Sequence, residues 1–328
     1  MTYSVDSTST ADHASVASQQ FATKGLLRRF LELIRFSHTV FALPFALMAC
    51  VFAIATPSSA VSLTPALVTA RLVAVVICMI SARSAAMSFN RLMDARIDAL
   101  NPRTASRHLP AGLLTVSQVW AFFAAASLIF IATCLMFLPN WLPLVFSLPV
   151  LVWICGYSLA KRFTAAAHLW LGAALALSPI SAWIAIRGEQ VQNDLFDLCL
   201  PMAVAIAIAF WVAGFDIVYA CQDAEFDRQH GLKSIPAVWG ISDALRLAAI
   251  LHAMMLCVLG SLPLLFPNLS LGWIYVLGWF LVAGLVIRQH WLVSASDLTR
   301  LNIAFFNINS IISLGFTSLA ALDAITQF

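Results

Sequence analysis

Long apolar runs broken by short polar stretches dominate the chain. A helix that crosses a bilayer needs about 20 apolar residues. Runs of that kind predict spans near 37–56, 67–89, 115–138, 141–159, 164–186, 199–220, 244–265, 270–288 and 301–325. Turns such as Leu138-Pro139-Asn140 and Phe266-Pro267-Asn268 punctuate them, as Pro and Asn do where a helix must stop. The runs are unbroken and do not alternate, which favours helices over a β-barrel. The expected architecture is an all-α integral membrane protein, with about nine transmembrane helices bundled around a central cavity. Residues 1–25 are rich in Ser, Thr, Ala and Gln and predict a disordered polar tail; 26–328 form one transmembrane domain.

Composition supports this reading. Of the 328 residues, 62% are hydrophobic and 10% are charged, against about 25% charged in an ordinary soluble domain. Most of the surface therefore faces something other than water, and membrane lipid is an implied partner. The seven Cys are scattered without a CxxC pair and are read as small hydrophobes, not as a metal site or a disulfide framework. A net charge of +3 gives no case for nucleic acid.

The basic residues are unevenly placed. Most of the 18 Lys and Arg fall in the N-terminal segment and in the loops after spans two, four, six and eight. By the positive-inside rule that side is cytoplasmic, together with the N-terminus. Arg71 and Arg187 belong to the other side, and Arg83 lies within span two.

Two cytoplasmic loops begin with acidic residues at helical spacing. Asn90, Asp94 and Asp98 are spaced i, i+4, i+8; Asp216, Tyr219, Asp223 and Asp227 are spaced i, i+3, i+7, i+11. Each set shares one helix face. These positions are electrostatically unfavourable. The C-terminal end of a helix dipole repels carboxylates, like charges at i, i+4 repel one another, and Asp216 lies within an apolar span, where a charge costs at least ~2.5 kcal/mol. A divalent cation offsets all three, and carboxylate and amide oxygens suit Mg²⁺. A plainer reading is pairing with nearby Arg at the membrane surface. Excess cations, among them Arg83, Arg91, Arg96, Arg103 and Arg107, argue for a diphosphate in addition to metal. No glycine-rich phosphate loop of the nucleotide type is present. Asp94-Ala-Arg-Ile-Asp98 and Asp223-Ala-Glu-Phe-Asp227 echo each other, as expected of a duplicated helical half whose copies share one site.

With these motifs in view, residues 25 to 325 resemble the UbiA superfamily of intramembrane aromatic prenyltransferases. The resemblance rests on Asn90-x3-Asp94-x3-Asp98, the segment from Asn101-Pro-Arg-Thr through Arg107 to Gly112, Tyr157-x3-Lys161, and Asp216-x2-Tyr219-x3-Asp223-x3-Asp227. It implies transfer of a polyprenyl group from polyprenyl diphosphate to a hydroxylated aromatic acid such as 4-hydroxybenzoate, with Mg²⁺ as cofactor, in respiratory quinone biosynthesis at a bacterial inner membrane. By this resemblance Asn90, Asp94, Asp98, Asp223 and Asp227 hold metal. Asp216, Lys161 and Arg83 are catalytic, and Arg35, Tyr157, Tyr219, Arg91 and Arg107 contact substrates. Arg35 is expected to hold the acceptor carboxylate, and the loops at 91–114 and 223–243 to fold over the site. Arg91 stands where many members carry Asp, which leaves open a bicyclic, naphthoate-type acceptor of menaquinone biosynthesis. Haem O synthase-like farnesyl transfer is a further enzymatic reading, and a secondary transporter for an anionic solute is one of a different class. His38 and His168 are read as structural.

Overall fold

The computed structural model describes residues 25–34, 41–57 and 64–326. The expected polar tail, Arg35 and His38 lie outside the described residues. The helices in chain order are α1 (Leu26–Leu33), α2 (Leu43–Ala55), α3 (Pro65–Leu100), α4 (Val116–Cys134), α5 (Leu142–Ala160), α6 (Ala167–Asn193), α7 (Cys199–Ala220), α8 (Ala224–Gln229), α9 (Ile235–Trp239), α10 (Ile241–Leu265), α11 (Trp273–Leu292) and α12 (Thr317–Thr326). Two π-helical stretches, Ile303–Ile308 and Ile312–Phe316, lead into α12.

Eight of these segments are long and apolar enough to cross a membrane, and α2 is a shorter apolar helix of 13 residues. The expectation of about nine helices holds in this form. Local chemistry sets the starts. Thr64 caps α3 by accepting from the Leu67 N–H at 3.3 Å, with Pro65 at its first position. Thr115 and Gln118 form a reciprocal capping box on α4, at 3.2 and 2.9 Å.

One helix departs from the span expected of it. The apolar run suggests an end near residue 89, yet α3 continues for 36 residues to Leu100. At 1.5 Å per residue it is about 54 Å long, well beyond a hydrocarbon core of about 30 Å. The first acidic tract is therefore helix and not loop, and the loop on that side starts at Asn101. The second tract is less regular. α7 ends at Ala220, a 3₁₀ turn spans Cys221–Asp223, and α8 follows.

Packing places α6 along α7, α7 against α10, α3 against α4 and α2 against α6. The interior is filled by Phe52, Trp183, Trp211, Ile217, Leu262 and Phe316, all nearly inaccessible. Small residues allow the close approaches: a Cβ added at Gly172 would sit 2.4 Å from the Ala209 carbonyl oxygen, the kind of contact that lets membrane helices pack backbone to backbone. Outward faces carry exposed Leu128, Val152, Leu264 and Phe280, as lipid contact requires. The seven Cys are all free.

Candidate active site

A cavity of about 450 Å³ runs through the half of the bundle built from α3 to α7. Its deep part is apolar, with Val75, Met79, Phe130, Phe137 and Phe146 in the wall. Its polar end gathers the chemistry. Arg83, Asn90, Arg91 and Asp94 come from α3, Arg107 from the following loop, and Tyr157 and Lys161 from the end of α5. Asp216, Tyr219, Asp223 and Asp227 come from α7 and its continuation. The two acidic tracts, more than 100 residues apart in sequence, thus face one space.

On the α3 side, Asn90 Nδ2 donates to Asp94 Oδ2 at 3.2 Å, and Lys161 Nζ lies 3.0 Å from the same oxygen. Arg162 approaches Asp94 Oδ1 at 3.6 Å while its Nη2 donates to the Met93 carbonyl at 2.6 Å. Asp94 is buried, and its Oδ1 has no hydrogen-bond partner. Asp98 is different. Arg107 Nη1 reaches both of its oxygens, at 2.7 and 2.8 Å, and Asp98 does not line the cavity. Arg91 is buried; its Nη1 donates to Asn90 Oδ1 and its Nε to the Leu33 carbonyl, both at 3.4 Å, tying α1 to the first tract.

The second tract is joined to the first through the intervening loop. Arg103 grips Asp223 with Nε at 2.8 Å from Oδ1 and with Nη2 on Oδ2, and Asn101 Nδ2 donates to Oδ1 at 3.1 Å. Arg103 Nη1 also donates to the Tyr219 hydroxyl at 3.2 Å. Burial lowers the pKa of this guanidinium, but the hydrogen bond and charge of Asp223, together with Tyr219 and Asp98, leave it raised. The Tyr219 ring packs on Phe305 from the first π-helical stretch, centroids 4.1 Å apart. Asp227 is buried at the cavity wall. Higher in the cavity, Arg83 has a buried Nε without a partner, beside Tyr157. A largely buried guanidinium with spare donor capacity can receive an anion.

Pairing with arginine therefore describes Asp98 and Asp223 as they stand. It describes Asp94 only in part: Lys161 and, at 3.6 Å, Arg162 pair with it, but its Oδ1 accepts no hydrogen bond. No three His, Cys, Asp or Glu side chains converge as a ready-made metal cage among the described residues. Mg²⁺ does not need one, because it is held by one or two carboxylates and completes its shell with phosphate oxygens and water. The donor set at this end, with a buried carboxylate oxygen left without a hydrogen bond, fits that ion.

Three contributors to the site are hard to see in the sequence. Arg103 and Asn101 are legible only as part of a motif, because nothing in their spacing tells which acidic tract they reach. His168 reads as structural from sequence. Its Nδ1 lies 2.7 Å from Asp216 Oδ2, at the cavity wall, across 48 residues of sequence. A lone His carries no signal for such a partner.

Comparison with known proteins agrees with this geometry. Residues 42–311 match the model of the UbiA prenyltransferase family. A 4-hydroxybenzoate octaprenyltransferase of Aliivibrio fischeri (strain MJ11) is 29% identical over 250 residues, 76% of this chain and 83% of that protein. One of Tolumonas auensis is 30% identical over 233 residues, 69% and 75% of the two chains. Among solved structures, the apo form of a UbiA homolog from Aeropyrum pernix K1 superposes with a TM-score of 0.73 at 30% identity, covering 89% of this chain and 98% of that one. A UbiA homolog from Archaeoglobus fulgidus bound to DMAPP and Mg²⁺ shares the fold, with a TM-score of 0.61 at 20% identity over 90% and 99% of the chains. The two acidic tracts meeting over one apolar cavity, and the match across most of the chain, make this protein a member of the UbiA prenyltransferase family.

Proposed function

We propose that the protein transfers a polyprenyl group from its diphosphate to the ring of 4-hydroxybenzoate, using Mg²⁺, at a bacterial inner membrane with the acidic end in the cytoplasm. The observation that carries this reading is the junction of Asp94, Lys161, Arg83 and the Asp223–Asp227 tract at the polar mouth of an otherwise apolar cavity. Relatives named for 4-hydroxybenzoate octaprenyl transfer support the acceptor and a long donor. They give no support to a naphthoate acceptor, haem farnesylation or transport.

In this mechanism Mg²⁺, when bound, neutralises the diphosphate and stabilises the charge that grows on it as the allylic C–O bond breaks. Asp94, Asp227 and Asn90 are the proposed first holders. Asp98 and Asp223 join by releasing Arg107 and Arg103, whose guanidiniums then face the diphosphate. Arg83, Lys161 and Tyr157 supply fixed donors to the leaving group. Arg91 keeps Asn90 oriented. The apolar wall from Met79 to Phe137 receives the prenyl tail and keeps water from the allylic cation. Tyr219, held between Arg103 and Phe305, presents its ring to the reacting end. Arg35 holds the acceptor carboxylate. The ring attacks the allylic carbon, a C–C bond forms, and Asp216 takes the displaced ring proton. Segments 101–115 and 221–240 cover the site.

The test is an assay of the protein in membranes with a radiolabelled polyprenyl diphosphate and 4-hydroxybenzoate, naphthoate-type acids or haem B. Prenylated 4-hydroxybenzoate, lost on chelation and regained with Mg²⁺, is the expected result. Absence of that product, or turnover that survives chelation, overturns the reading.

A further inference from the structure

We infer that His168 is a positioning residue for Asp216, holding one carboxylate oxygen so that the other faces the acceptor ring. The inference rests on the transferase reading and deepens it. His168 opens α6 and is 5% exposed. The Ile235 backbone N–H donates to its Nε2 at 3.3 Å. A backbone N–H can only donate, so Nε2 must be the unprotonated nitrogen and Nδ1 must carry the ring proton. Nδ1 therefore donates to Asp216 Oδ2 at 2.7 Å. Among the described residues nothing bonds Asp216 Oδ1, and Asp216 lines the cavity.

The tautomer lock comes from the covering segment. The Lys233 N–H donates to the Lys161 carbonyl at 2.7 Å, two residues before the Ile235 bond. The segment around residues 233–235 is thus docked on the α5–α6 junction through two of its backbone N–H groups, one on the Lys161 carbonyl and one on the imidazole, which it fixes. The Nδ1–H donor holds Asp216 Oδ2 and so fixes the direction in which Oδ1 points. In the step so served, the C–O electron pair leaves with the diphosphate, and a ring π pair forms the C–C bond. The ring C–H pair then restores aromaticity as the proton passes to Asp216 Oδ1 and on to solvent. Atoms and charge balance as donor plus acceptor giving prenylated acceptor, diphosphate and one proton.

The experiment measures kcat, both KM values and the deuterium isotope effect with ring-deuterated 4-hydroxybenzoate for wild type, His168→Leu and His168→Gln. The leucine variant is expected to lose about 10²-fold in kcat, the scale for a misplaced reacting group, with the donor KM little changed. It should show an isotope effect on kcat that wild type lacks, because proton removal becomes slow. Glutamine, which keeps an N–H donor, should recover most of the loss; His168→Met replaces leucine should that variant not fold. A leucine variant with wild-type kcat overturns the inference alone. So does a loss without an isotope effect that glutamine fails to rescue. A wild-type protein that forms no prenylated aromatic acid removes the transferase reading itself.

Discussion

Two buried clusters of charge, at opposite ends of the bundle, use the same residue types and do different things. At the end away from the acidic tracts, Arg187 is 3% exposed and spends every N–H it has. Nε and Nη2 bind Asp197, Nη1 donates to the Thr56 and Ala53 carbonyls, and Nη2 also reaches Pro57. Trp183 Nε1 donates to Asp197 Oδ2 at 2.8 Å and the Trp183 ring lies under the guanidinium. This network pins the end of α2 to α6 and the 3₁₀ turn before α7. At the acidic end Asp94 Oδ1 and Arg83 Nε have no hydrogen-bond partner, and both residues face a cavity. An intramembrane charge is therefore not in itself a sign of chemistry. Spare bonding capacity turned toward a cavity is.

The contrast can be broken from either side. Asp94→Ala should lower kcat by about 10³-fold, or about 4 kcal/mol, with the thermal midpoint in detergent kept; an active Asp94→Ala protein would make the acidic end as structural as the other. Asp197→Ala leaves Arg187 buried without its counter-charge. The expected cost is about 3 kcal/mol of stability, read as a lowered midpoint, with kcat per folded molecule unchanged. Gly188→Ala adds a Cβ about 2.1 Å from the Asn140 side chain, which bridges to the Ile184 carbonyl at 2.8 Å. The predicted loss is about 2 kcal/mol, again in stability and not in turnover. The smallest effect is the most diagnostic. Arg103 is partly exposed and pairs with Asp223, a proposed metal ligand, so Arg103→Ala should tighten the Mg²⁺ half-saturation by about 3-fold, the scale of an exposed ion pair. The donor KM should rise in the same titration. An unchanged Mg²⁺ dependence would show that Asp223 does not exchange its arginine for metal.

Hydrophobic runs about one membrane thick, and polar residues at i, i+4 spacing, are properties of the chain itself. Bilayer thickness and helix geometry translate them directly, so the spans, the shared face of Asn90 and Asp94 and the membership of Asp216 in the second tract are all readable from the residues alone. Distances across the bundle have no such local code. Only packing decided that Asp98 is taken by Arg107 while Asp94 keeps an open oxygen, that Arg103 crosses to Asp223, and that His168 meets Asp216 under the Ile235 N–H. Helix periodicity says which way a side chain points along its own axis; which partner stands opposite depends on how the neighbouring helices lie, and that is settled by the fit of their apolar and small-residue faces.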